Sequence, residues 1–370
     1  MKRILFLIHD LGPGGAEKVL VNLVNNLDRT KFDITVMELF GGGVNAQFLK
    51  KDVRLITCHR RAIRGNSHIM KLLTPQQLYR RYIKDPYDII VSYLEGPCAR
   101  IVSGCTDSET KLVSWIHIEQ KTKKRASVSF RSYKEAVDCY RRFDRTVCVS
   151  DTVRKDFLSL IPLDKPIDVL YNTNESTQIM AAAGEQVPAG VFSDDEIKLI
   201  GVGKILTSKG FDRIARIHGR LRSNGYPVHT YILGVGPQQE QIEKYLLEND
   251  LCDSFTFLGY QTNPYKYVSK CDLFVCASHA EGFSTAATEA LIVGTPVCTV
   301  EVSGMKEMLG EHNEWGIVTE NNDEALYNGI KRLLDDPELL SLYKEKAVEH
   351  GKTFSTENTV RAVEDMLETL

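Results

Sequence analysis

Two glutamates in the second half of the chain have types and spacing that suit the binding of a sugar. Glu281 and Glu289 stand eight residues apart in the segment 280–291. If a helix begins near Ser284, Glu281 lies in the loop entering it and Glu289 lies inside it, so both can border a ligand at the helix N-terminus. Such a terminus has free N–H groups and a positive dipole end, which suit a diphosphate. Carboxylates would repel the diphosphate itself, so we expect both to accept hydrogen bonds from sugar hydroxyls.

Two lysines five residues apart precede that segment and suit the neutralisation of a leaving diphosphate. Gly201-Val202-Gly203-Lys204 ends a predicted strand, and Lys209-Gly210 opens the next predicted helix. By themselves these are ordinary surface lysines, but cations that converge on such a loop stabilise charge as a leaving group departs. Small-residue turns also follow other predicted strands, at Gly234-Val235-Gly236 and at Gly304, where backbone can approach a ligand. Together these loops predict a phosphate-bearing ligand.

A scaffold that gathers strand ends at one edge would bring these residues together. β-Branched or aromatic runs alternate with helical stretches throughout, which indicates parallel sheets covered on both faces. The predicted strands are Arg3–Ile8, Asp33–Leu39, Val53–Cys58, Asp88–Leu94, Lys111–Ile116, Arg145–Val149, Ile167–Tyr171, Lys198–Val202, Thr230–Leu233, Ser254–Leu258, Leu273–Cys276, Pro296–Val300 and Gly316–Val318. The predicted helices include Ala16–Leu27, Ser129–Phe143, Gly210–Arg222, Gln238–Leu247 and Thr285–Val293. We expect an α/β fold of two doubly wound, Rossmann-like domains that face each other across a cleft and bind ligands beyond their strand ends.

Length and composition predict a soluble chain of two domains. The 370 residues are 43% hydrophobic and 26% charged, which is ordinary for globular proteins. No run of eighteen apolar residues occurs, so no transmembrane helix is expected. The apolar run 4–8 resembles a signal peptide, but His9 and Asp10 follow it where small residues would be needed. Nine cysteines without a CxxC pair predict reduced thiols and a cytoplasmic location.

The domain boundaries follow changes in composition and charge. We predict a first domain at 1–174, a linker at 175–195 that is rich in Ala, Gly, Ser and acidic residues, a second domain at 196–355 and a last helix at 356–370. Residues 1–174 hold 29 Lys and Arg against 19 Asp and Glu, whereas the remainder holds 17 against 30. The basic residues cluster at Arg60, Arg61 and Arg64, at Arg80, Arg81 and Lys84, at Lys121, Lys123, Lys124 and Arg125, and at Arg141, Arg142 and Arg145. A solvated surface explains them as well as a membrane surface or a phosphate-bearing acceptor does, whereas no nucleic-acid recognition motif accompanies them.

In this order, the residues resemble the retaining glycosyltransferases of family 4, which have the GT-B fold. The segment from Glu281 to Glu289 is similar to the family's E-x7-E motif, and Gly294-Thr295-Pro296-Val297 follows it as in the family. Lys204 and Lys209 are similar to its basic pair, although Arg is commoner at the first position and Lys lacks its bidentate fork. The other similar positions are Gly304 with Glu307, Gly14-Gly15-Ala16-Glu17, His117, Val149-Ser150-Asp151 and Leu170-Tyr171-Asn172. The resemblance spans nearly the whole chain.

The resemblance implies a role for each matching residue. Glu289 would hold ribose hydroxyls and Glu281 the hydroxyls of the donor sugar, while Lys204 and Lys209 would stabilise the departing nucleotide diphosphate. His117 would face the donor sugar and the acceptor, although a buried, satisfied histidine is an alternative, as a tight turn is for Gly14-Gly15. The implied substrate-binding positions are Gly14, Gly15, Asn172, Gly203, Gly234, Gly236, Gly282, Phe283, Ser284 and Glu289. The last helix would pack back onto the first domain.

The mechanism expected from this resemblance uses neither a protein nucleophile nor a metal. Double displacement needs a carboxylate under the anomeric carbon, and none is evident because Glu281 is expected to bind hydroxyls. We therefore expect front-face substitution with retained configuration, in which the leaving diphosphate takes the acceptor's proton. No Asp-x-Asp cluster stands at a predicted strand end, and Asp194-Asp195 lies in the predicted linker. Lysines and a helix dipole can supply the electrostatic role of a metal, so no metal and no other cofactor is expected.

Three other classes fit the sequence less well. An NAD-dependent oxidoreductase needs G-x-G-x-x-G after a strand, and neither Gly12-Pro13-Gly14-Gly15 nor Gly234-Val235-Gly236 matches it. A nucleotide-sugar isomerase on the same scaffold would use a donor but no acceptor, and would have little use for a basic first domain. A non-catalytic sugar-nucleotide binding protein stays open, although both glutamates and both basic positions are filled.

The activity expected from the resemblance and the charge is glycosyl transfer at the inner face of the cytoplasmic membrane. A hexose or N-acetylhexosamine would pass from a nucleotide-diphosphate sugar to a glycan or a lipid-diphosphate-linked acceptor, in capsule, exopolysaccharide or other cell-surface glycan assembly. UDP is favoured over GDP by family frequency alone. The basic clusters favour an anionic membrane surface as a further partner, and no nucleic acid is expected.

Overall fold

The computed structural model describes residues 1–61, 70–193 and 195–370, and it divides the chain into two compact units. The first unit comprises Met1–Asn174 and Thr356–Leu370, and the second comprises Glu175–Ser355. Arg64 and Asp194, which are named above, lie outside the described residues.

Within the described residues, the first unit contains one sheet of seven parallel strands in the order β3-β2-β1-β4-β5-β6-β7. The strands are β1 (Lys2–Ile8), β2 (Phe32–Phe40), β3 (Arg54–His59), β4 (Ile89–Ser92), β5 (Lys111–Ile116), β6 (Arg145–Cys148) and β7 (Ile167–Val169). The helices are α1 (Gly15–Asn26), α2 (Pro75–Tyr82), α3 (Pro97–Val102), α4 (Lys123–Ala126), α5 (Tyr133–Tyr140) and α6 (Asp151–Leu160). The central strand β4 is buried along its whole length, as expected for a parallel sheet with both faces covered.

The second unit repeats this architecture with a sheet of six parallel strands in its described part, in the order β10-β9-β8-β11-β12-β13. The strands are β8 (Ile197–Val202), β9 (Val228–Leu233), β10 (Phe255–Gly259), β11 (Leu273–Cys276), β12 (Val297–Val300) and β13 (Ile317–Thr319). The helices are α7 (Ser176–Ala183), α8 (Phe211–Ser223), α9 (Gln239–Glu248), α10 (Tyr265–Val268), α11 (Thr285–Ile292), α12 (Met305–Leu309), α13 (Asp323–Asp335) and α14 (Pro337–Gly351). The prediction of two doubly wound, Rossmann-like domains is confirmed.

Each sheet has a point at which the order of its strands reverses, and open α/β sheets bind ligands beyond the carboxyl ends of the strands at that point. In the first unit the reversal falls between β1 and β4, which are followed by the loop 9–14 and by Tyr93. In the second unit it falls between β8 and β11, which are followed by the loops 203–210 and 277–284. Of the candidate residues, those in the loops that this topology favours for a ligand therefore include Gly14, Lys204, Lys209 and Glu281.

The segment 175–195 differs from the predicted linker. It contains the helix α7, whose Ile179 is buried, and the carbonyls of Ala182 and Ala183 accept hydrogen bonds from Asn263 and Ser269 at 2.9 and 3.1 Å. Ile179 and Ala183 stand four residues apart and so share one face of the helix. This stripe is too short to produce a clear period in the sequence, and the helix is part of the second unit.

The last helix, α15 (Thr356–Glu368), packs on the first unit. The backbone N–H of Asp28 donates to Glu364 Oε1 at 2.7 Å, and Lys2 Nζ donates to the carbonyl of Leu367 at 3.0 Å. Across the described part of the chain, every helix is too short or too polar to cross a membrane.

Candidate active site

The loop after β8 is fixed to the end of β11. Gly210 has a φ of +66°, and a Cβ there would lie 2.1 Å from the carbonyl oxygen of Ala277. Only glycine allows both this left-handed conformation and this close approach. The backbone N–H of His279 also donates to the carbonyl of Ser208 at 2.8 Å. These contacts hold the loop that carries Lys209 beside the loop that carries Glu281.

Lys209 and Glu281, which are distant in the sequence, form an ion pair. Lys209 Nζ lies 2.6 Å from Glu281 Oε1, and Ser278 Oγ donates to the same oxygen at 2.7 Å. The side chains are 31% and 11% exposed, so the pair is partly shielded from water. Lys204 is exposed on the same loop. The resemblance implies that Glu281 binds hydroxyls and that Lys209 contacts a diphosphate, whereas in this structure the two side chains are paired with each other.

The glutamates flank the start of α11, as expected. Ser284 is the N-cap, and its Oγ accepts a hydrogen bond from the N–H of Ala287 at 3.4 Å. Gly282 and Phe283 precede it, and Glu289 lies buried inside the helix. The hydroxyl of Tyr265 donates to Glu289 Oε1 at 3.3 Å. This terminus combines backbone donors with two carboxylates, one in the loop and one in the helix.

A third loop, around Gly304, packs against the entrance to α11. Gly304 has a φ of +79°, and a Cβ there would lie 2.8 Å from the ring of Phe283 and 3.0 Å from the carbonyl of Gly282. The residue is also the N-cap of α12, in which Glu307 is half-buried. The Gly-x-x-Glu segment is thus in contact with the loop of Glu281.

Gly234 and Gly236 have a packing role in the structure. A Cβ at Gly234 would lie 1.9 Å from the carbonyl oxygen of Gly203, and one at Gly236 would lie 2.3 Å from that of Ile205. The N–H of Ile205 also donates to the carbonyl of Val235 at 3.0 Å. Close backbone packing of two loops accounts for both glycines without a ligand, so contacts of Gly203, Gly234 and Gly236 with a substrate stay predictions.

Arg213, which the sequence analysis missed, supports the loops of this site. It is 2% exposed, and it donates to the carbonyl of Ala277 at 3.1 Å, to Asn321 Oδ1 at 2.7 Å and to Asp323 Oδ1 at 2.8 Å. Burial alone would raise the pKa of Asp323, but hydrogen bonds from Arg216 and Arg213 outweigh it and lower that pKa. A buried Arg in helix α8 could not be distinguished from the surface arginines of that helix in the sequence.

In the first unit, the glycine loop after β1 is held by side chains of its own unit. Asp10 Oδ1 accepts from the N–H of Gly12 at 2.8 Å, and Asn45 Nδ2 donates to the carbonyl of Gly12. Gly14 is the N-cap of α1, and a Cβ there would lie 1.9 Å from Glu17 Oε2. Gly15 is the first residue of the helix. The tight turn is therefore observed, and a substrate contact at Gly14-Gly15 stays a prediction.

His117 lies at the end of β5 in a buried aromatic cluster. Its ring centroid is 4.8 Å from that of Tyr93 and 6.4 Å from that of Trp115. Within the part of the chain that the structure describes, Tyr93 Oη, Trp115 Nε1 and His117 Nε2 are buried without a hydrogen-bond partner. Burial lowers the pKa of His117 to about 4, so the ring is neutral at pH 7. These three groups retain the capacity to hydrogen-bond to a hydroxyl or to water.

Glu95 lies beside this cluster. Its carboxylate accepts from the backbone N–H of His117 at 3.3 Å and from Gln120 Nε2 at 3.1 Å. Burial raises the pKa of Glu95 despite these hydrogen bonds. Asn172, the remaining predicted position, is buried beyond the end of β7. Tyr93, Trp115 and Glu95 were not singled out in the sequence, although each stands at or just after a strand end.

Among the described residues, no group of three or more His, Cys, Asp or Glu could hold a metal ion.

Known families match both halves of the chain. Residues 13–173 match the family described as Glycosyltransferase Family 4, and residues 184–350 match the Glycosyl transferases group 1. Together with the fold, these matches show that the chain belongs to the family 4 glycosyltransferases with the GT-B fold.

Similar proteins include enzymes of bacterial glycan synthesis. The N-acetylgalactosamine-N,N'-diacetylbacillosaminyl-diphospho-undecaprenol 4-alpha-N-acetylgalactosaminyltransferase of Campylobacter jejuni is 25% identical over 365 residues, which are 96% of each chain. The lipopolysaccharide core biosynthesis glycosyltransferase LpsD of Rhizobium meliloti is 26% identical over 63% of this chain and 65% of its own. Among solved structures, Anabaena HepE in complex with UDP aligns over the whole of both chains with a TM-score of 0.80 and 18% identity. The same protein has also been solved with UDP-glucose.

Proposed function

We propose that this glycosyltransferase transfers a hexose or N-acetylhexosamine from a UDP-sugar to a glycan or lipid-diphosphate-linked acceptor in the assembly of a bacterial surface glycan. The observation that carries the proposal is the Lys209–Glu281 pair beside the N-terminus of α11, at the point of the second sheet where ligands bind. The diphospho-undecaprenol substrate named for the Campylobacter enzyme and the UDP complexes of HepE support this choice of acceptor and donor.

The proposed donor site uses charge. The diphosphate would lie at the N–H groups of Gly282, Phe283 and Ser284, where a helix terminus favours an anion. Lys209 would then turn from Glu281 to the diphosphate, and Lys204 would approach the same anion from its exposed position. Once Lys209 has moved away, Glu281 would accept hydrogen bonds from hydroxyls of the donor sugar. Glu289 would accept hydrogen bonds from those of the ribose.

The proposed transfer retains the configuration of the anomeric carbon. The bond from that carbon to the diphosphate oxygen breaks, the acceptor oxygen bonds on the same face, and the departing diphosphate takes the acceptor's proton. Glu281 is not the nucleophile in this proposal, because its carboxylate accepts hydrogen bonds from Ser278 and from the donor sugar. In the first unit, neutral His117 would hydrogen-bond to a sugar hydroxyl. We propose that the reaction needs no metal, because the lysines and the helix terminus neutralise the leaving group, and that the enzyme works at the inner face of the cytoplasmic membrane.

A reaction with defined substrates tests this proposal. The full chain is incubated in EDTA with UDP-hexoses and UDP-N-acetylhexosamines and an undecaprenyl-diphosphate-linked N-acetylhexosamine, and the release of UDP is followed. We expect UDP release that needs the acceptor, and an NMR coupling constant of the product that matches the donor's anomeric configuration. Glu281→Gln should abolish turnover, whereas Glu248→Gln, an exposed position of the second unit, should not. Conversion of the donor without acceptor would indicate an isomerase, and nucleotide binding without turnover would indicate a binding protein.

A further inference from the structure

Two adjoining loops of the first unit carry solvent-exposed apolar side chains. Leu72 is 78% exposed in the turn 70–73 that precedes α2, and Val128 is 65% exposed just after α4. Arg131 joins the loops, because its guanidinium donates to the carbonyls of Lys71 and Leu72 at 2.6 and 2.8 Å. We call the residues 70–74 and 121–134 the Leu72–Val128 surface.

The turn that carries Leu72 is held rigidly. Buried Arg100 donates to the carbonyls of Met70 and Leu73, each at 2.8 Å, so that with Arg131 two arginines bind all four carbonyls of the turn. Glu135 anchors both arginines, since it bonds to the guanidinium of Arg100 at 2.9 Å and to the backbone N–H of Arg131 at 2.5 Å. Leu72 cannot fold back into the unit without the loss of these bonds. The scaffold therefore presents an apolar side chain to the outside.

The two loops that carry the exposed apolar side chains are rich in cations. The Leu72–Val128 surface contains seven Lys and Arg and no Asp or Glu. Lys123, Lys124 and Arg125 are all exposed in α4, directly before Val128. Exposed apolar side chains on loops rich in cations match the interface of an anionic bilayer, where the apolar groups enter the headgroup region and the cations meet phosphates. A second copy of the same surface would be repelled by its like charge.

We propose that the Leu72–Val128 surface docks the first unit onto a bilayer rich in anionic lipid, with Leu72 and Val128 entering the headgroup region. This inference rests on the proposed function, because a lipid-linked acceptor is reached only at a membrane.

Vesicle sedimentation of the full chain tests the surface. Vesicles of phosphatidylcholine alone are compared with vesicles rich in phosphatidylglycerol, at low and high salt. The wild type should bind the anionic vesicles, less so at high salt. Leu72→Ser with Val128→Ser should weaken binding roughly tenfold or more at either salt concentration, as expected when inserted apolar side chains are lost. Lys71→Gln with Lys124→Gln should weaken binding mainly at low salt.

A matched control comes from the second unit, where Met180 and Leu247 are also exposed. Met180→Ser with Leu247→Ser should leave vesicle binding unchanged. The inference is overturned if the wild type ignores anionic vesicles, if both serine pairs bind them equally, or if the Leu72 and Val128 pair alters only the oligomeric state. UDP-induced thermal stabilisation of the same samples separates the two proposals. Stabilisation by UDP without binding to vesicles would support the donor site and contradict this surface. Binding to vesicles without any effect of UDP would contradict the donor site.

Discussion

The strand-end regions of the two units differ in how their polar groups are satisfied. In the second unit Lys209 and Glu281 are paired at 2.6 Å, beside the backbone donors that start α11. In the first unit, Tyr93, Trp115 and His117 each keep a buried polar atom without a partner among the described residues. In the second unit, the two charged side chains compensate each other. In the first unit, the three aromatic side chains are uncharged and keep unused hydrogen-bonding capacity.

This difference indicates which ligand each region suits. A leaving diphosphate needs positive charge nearby, and Lys209 lies in the loop beside the backbone donors that start α11. A sugar hydroxyl can also bind to uncharged donors and acceptors, and burial keeps His117 neutral by lowering its pKa to about 4. Under the proposed function, the second unit binds the donor's phosphates and, through Glu281 and Glu289, its hydroxyls, whereas the uncharged groups of the first unit bind further sugar hydroxyls.

The largest effect is expected for Lys209→Met. The variant removes the cation that would neutralise the diphosphate, so kcat should fall roughly 100- to 1000-fold, as for the loss of a preorganised electrostatic donor. Steady-state release of UDP measures it, and Lys244→Met, an exposed lysine of the same unit, is the matched control. A fall in kcat of less than tenfold would contradict the role of Lys209 in neutralising the diphosphate.

Arg213→Met should cost stability in the second unit. Without the guanidinium, the carbonyl of Ala277 and the side chains of Asn321 and Asp323 lose their shared partner. We expect a loss of about 1–3 kcal/mol, the usual cost of a buried group left without its hydrogen bond, because Ala277 is buried whereas Asp323 is 46% exposed. Chemical denaturation measures the free energy of unfolding, and Arg216→Met, which breaks a more exposed pair with Asp323, should cost less than about 1 kcal/mol. Equal losses of unfolding free energy in the two variants would show that Arg213 stabilises the unit no more than Arg216 does.

Acid should destabilise the second unit through His218. Burial first, and then the charges of Arg222 and His229, lower the pKa of His218 to about 3, and its ring bonds to Thr230 and Ser254 at 2.9 Å. Its unfolded pKa is higher, so the stabilisation is complete at neutral pH and is lost as the pH falls below about 6.5 towards 3.

The expected loss between pH 7 and pH 5 is roughly 2 kcal/mol in the free energy of unfolding, from a slope of about 1.4 kcal/mol per pH unit. His218→Gln should be less stable at pH 7 but should have a flatter acid profile. Denaturation curves across this range measure both properties. Identical acid slopes in the two proteins would show that His218 is not held neutral by burial.

The smallest effects are expected for two N-cap serines, which separate an effect on stability from an effect on UDP binding. Ser284 caps α11 at the proposed donor site, and Ser132 caps α5 in the first unit. Changing either serine to Ala should cost about 1 kcal/mol of stability, the usual value for an N-cap. Only Ser284→Ala should also weaken UDP binding, measured by calorimetry. A similar effect of both variants on UDP binding would contradict the assignment of the diphosphate to α11.

The fold was predictable because its signals are local. Each predicted strand overlaps an observed one, and Lys111–Ile116 and Leu273–Cys276 have the same bounds in both. Apolar runs of this length and their alternation with helices require only chain order to interpret. The helix α7 was missed because its buried face comprises little more than Ile179 and Ala183.

The site was predictable in part. The loops and the helix that hold Lys209, Glu281 and Glu289 follow from strand order, but the ion pair depends on the docking of Gly210 against Ala277. The partners Tyr265 and Arg213 come from other elements and have no pattern in the sequence. Tyr93 and Trp115 resemble ordinary core residues until the structure shows that their polar atoms lack partners.

The central claim, that the second unit binds a nucleoside diphosphate through charge without a metal, is tested most directly by titration. The protein and its Lys209→Met variant are titrated calorimetrically in EDTA with UDP, and then with GDP, ADP, TDP and NAD. We expect UDP to bind the wild type in EDTA, to bind the variant at least tenfold more weakly, and at a hundred times its Kd to stabilise the wild type by roughly 2.7 kcal/mol. Binding of NAD alone, of no nucleotide, or of UDP equally to both proteins would contradict it.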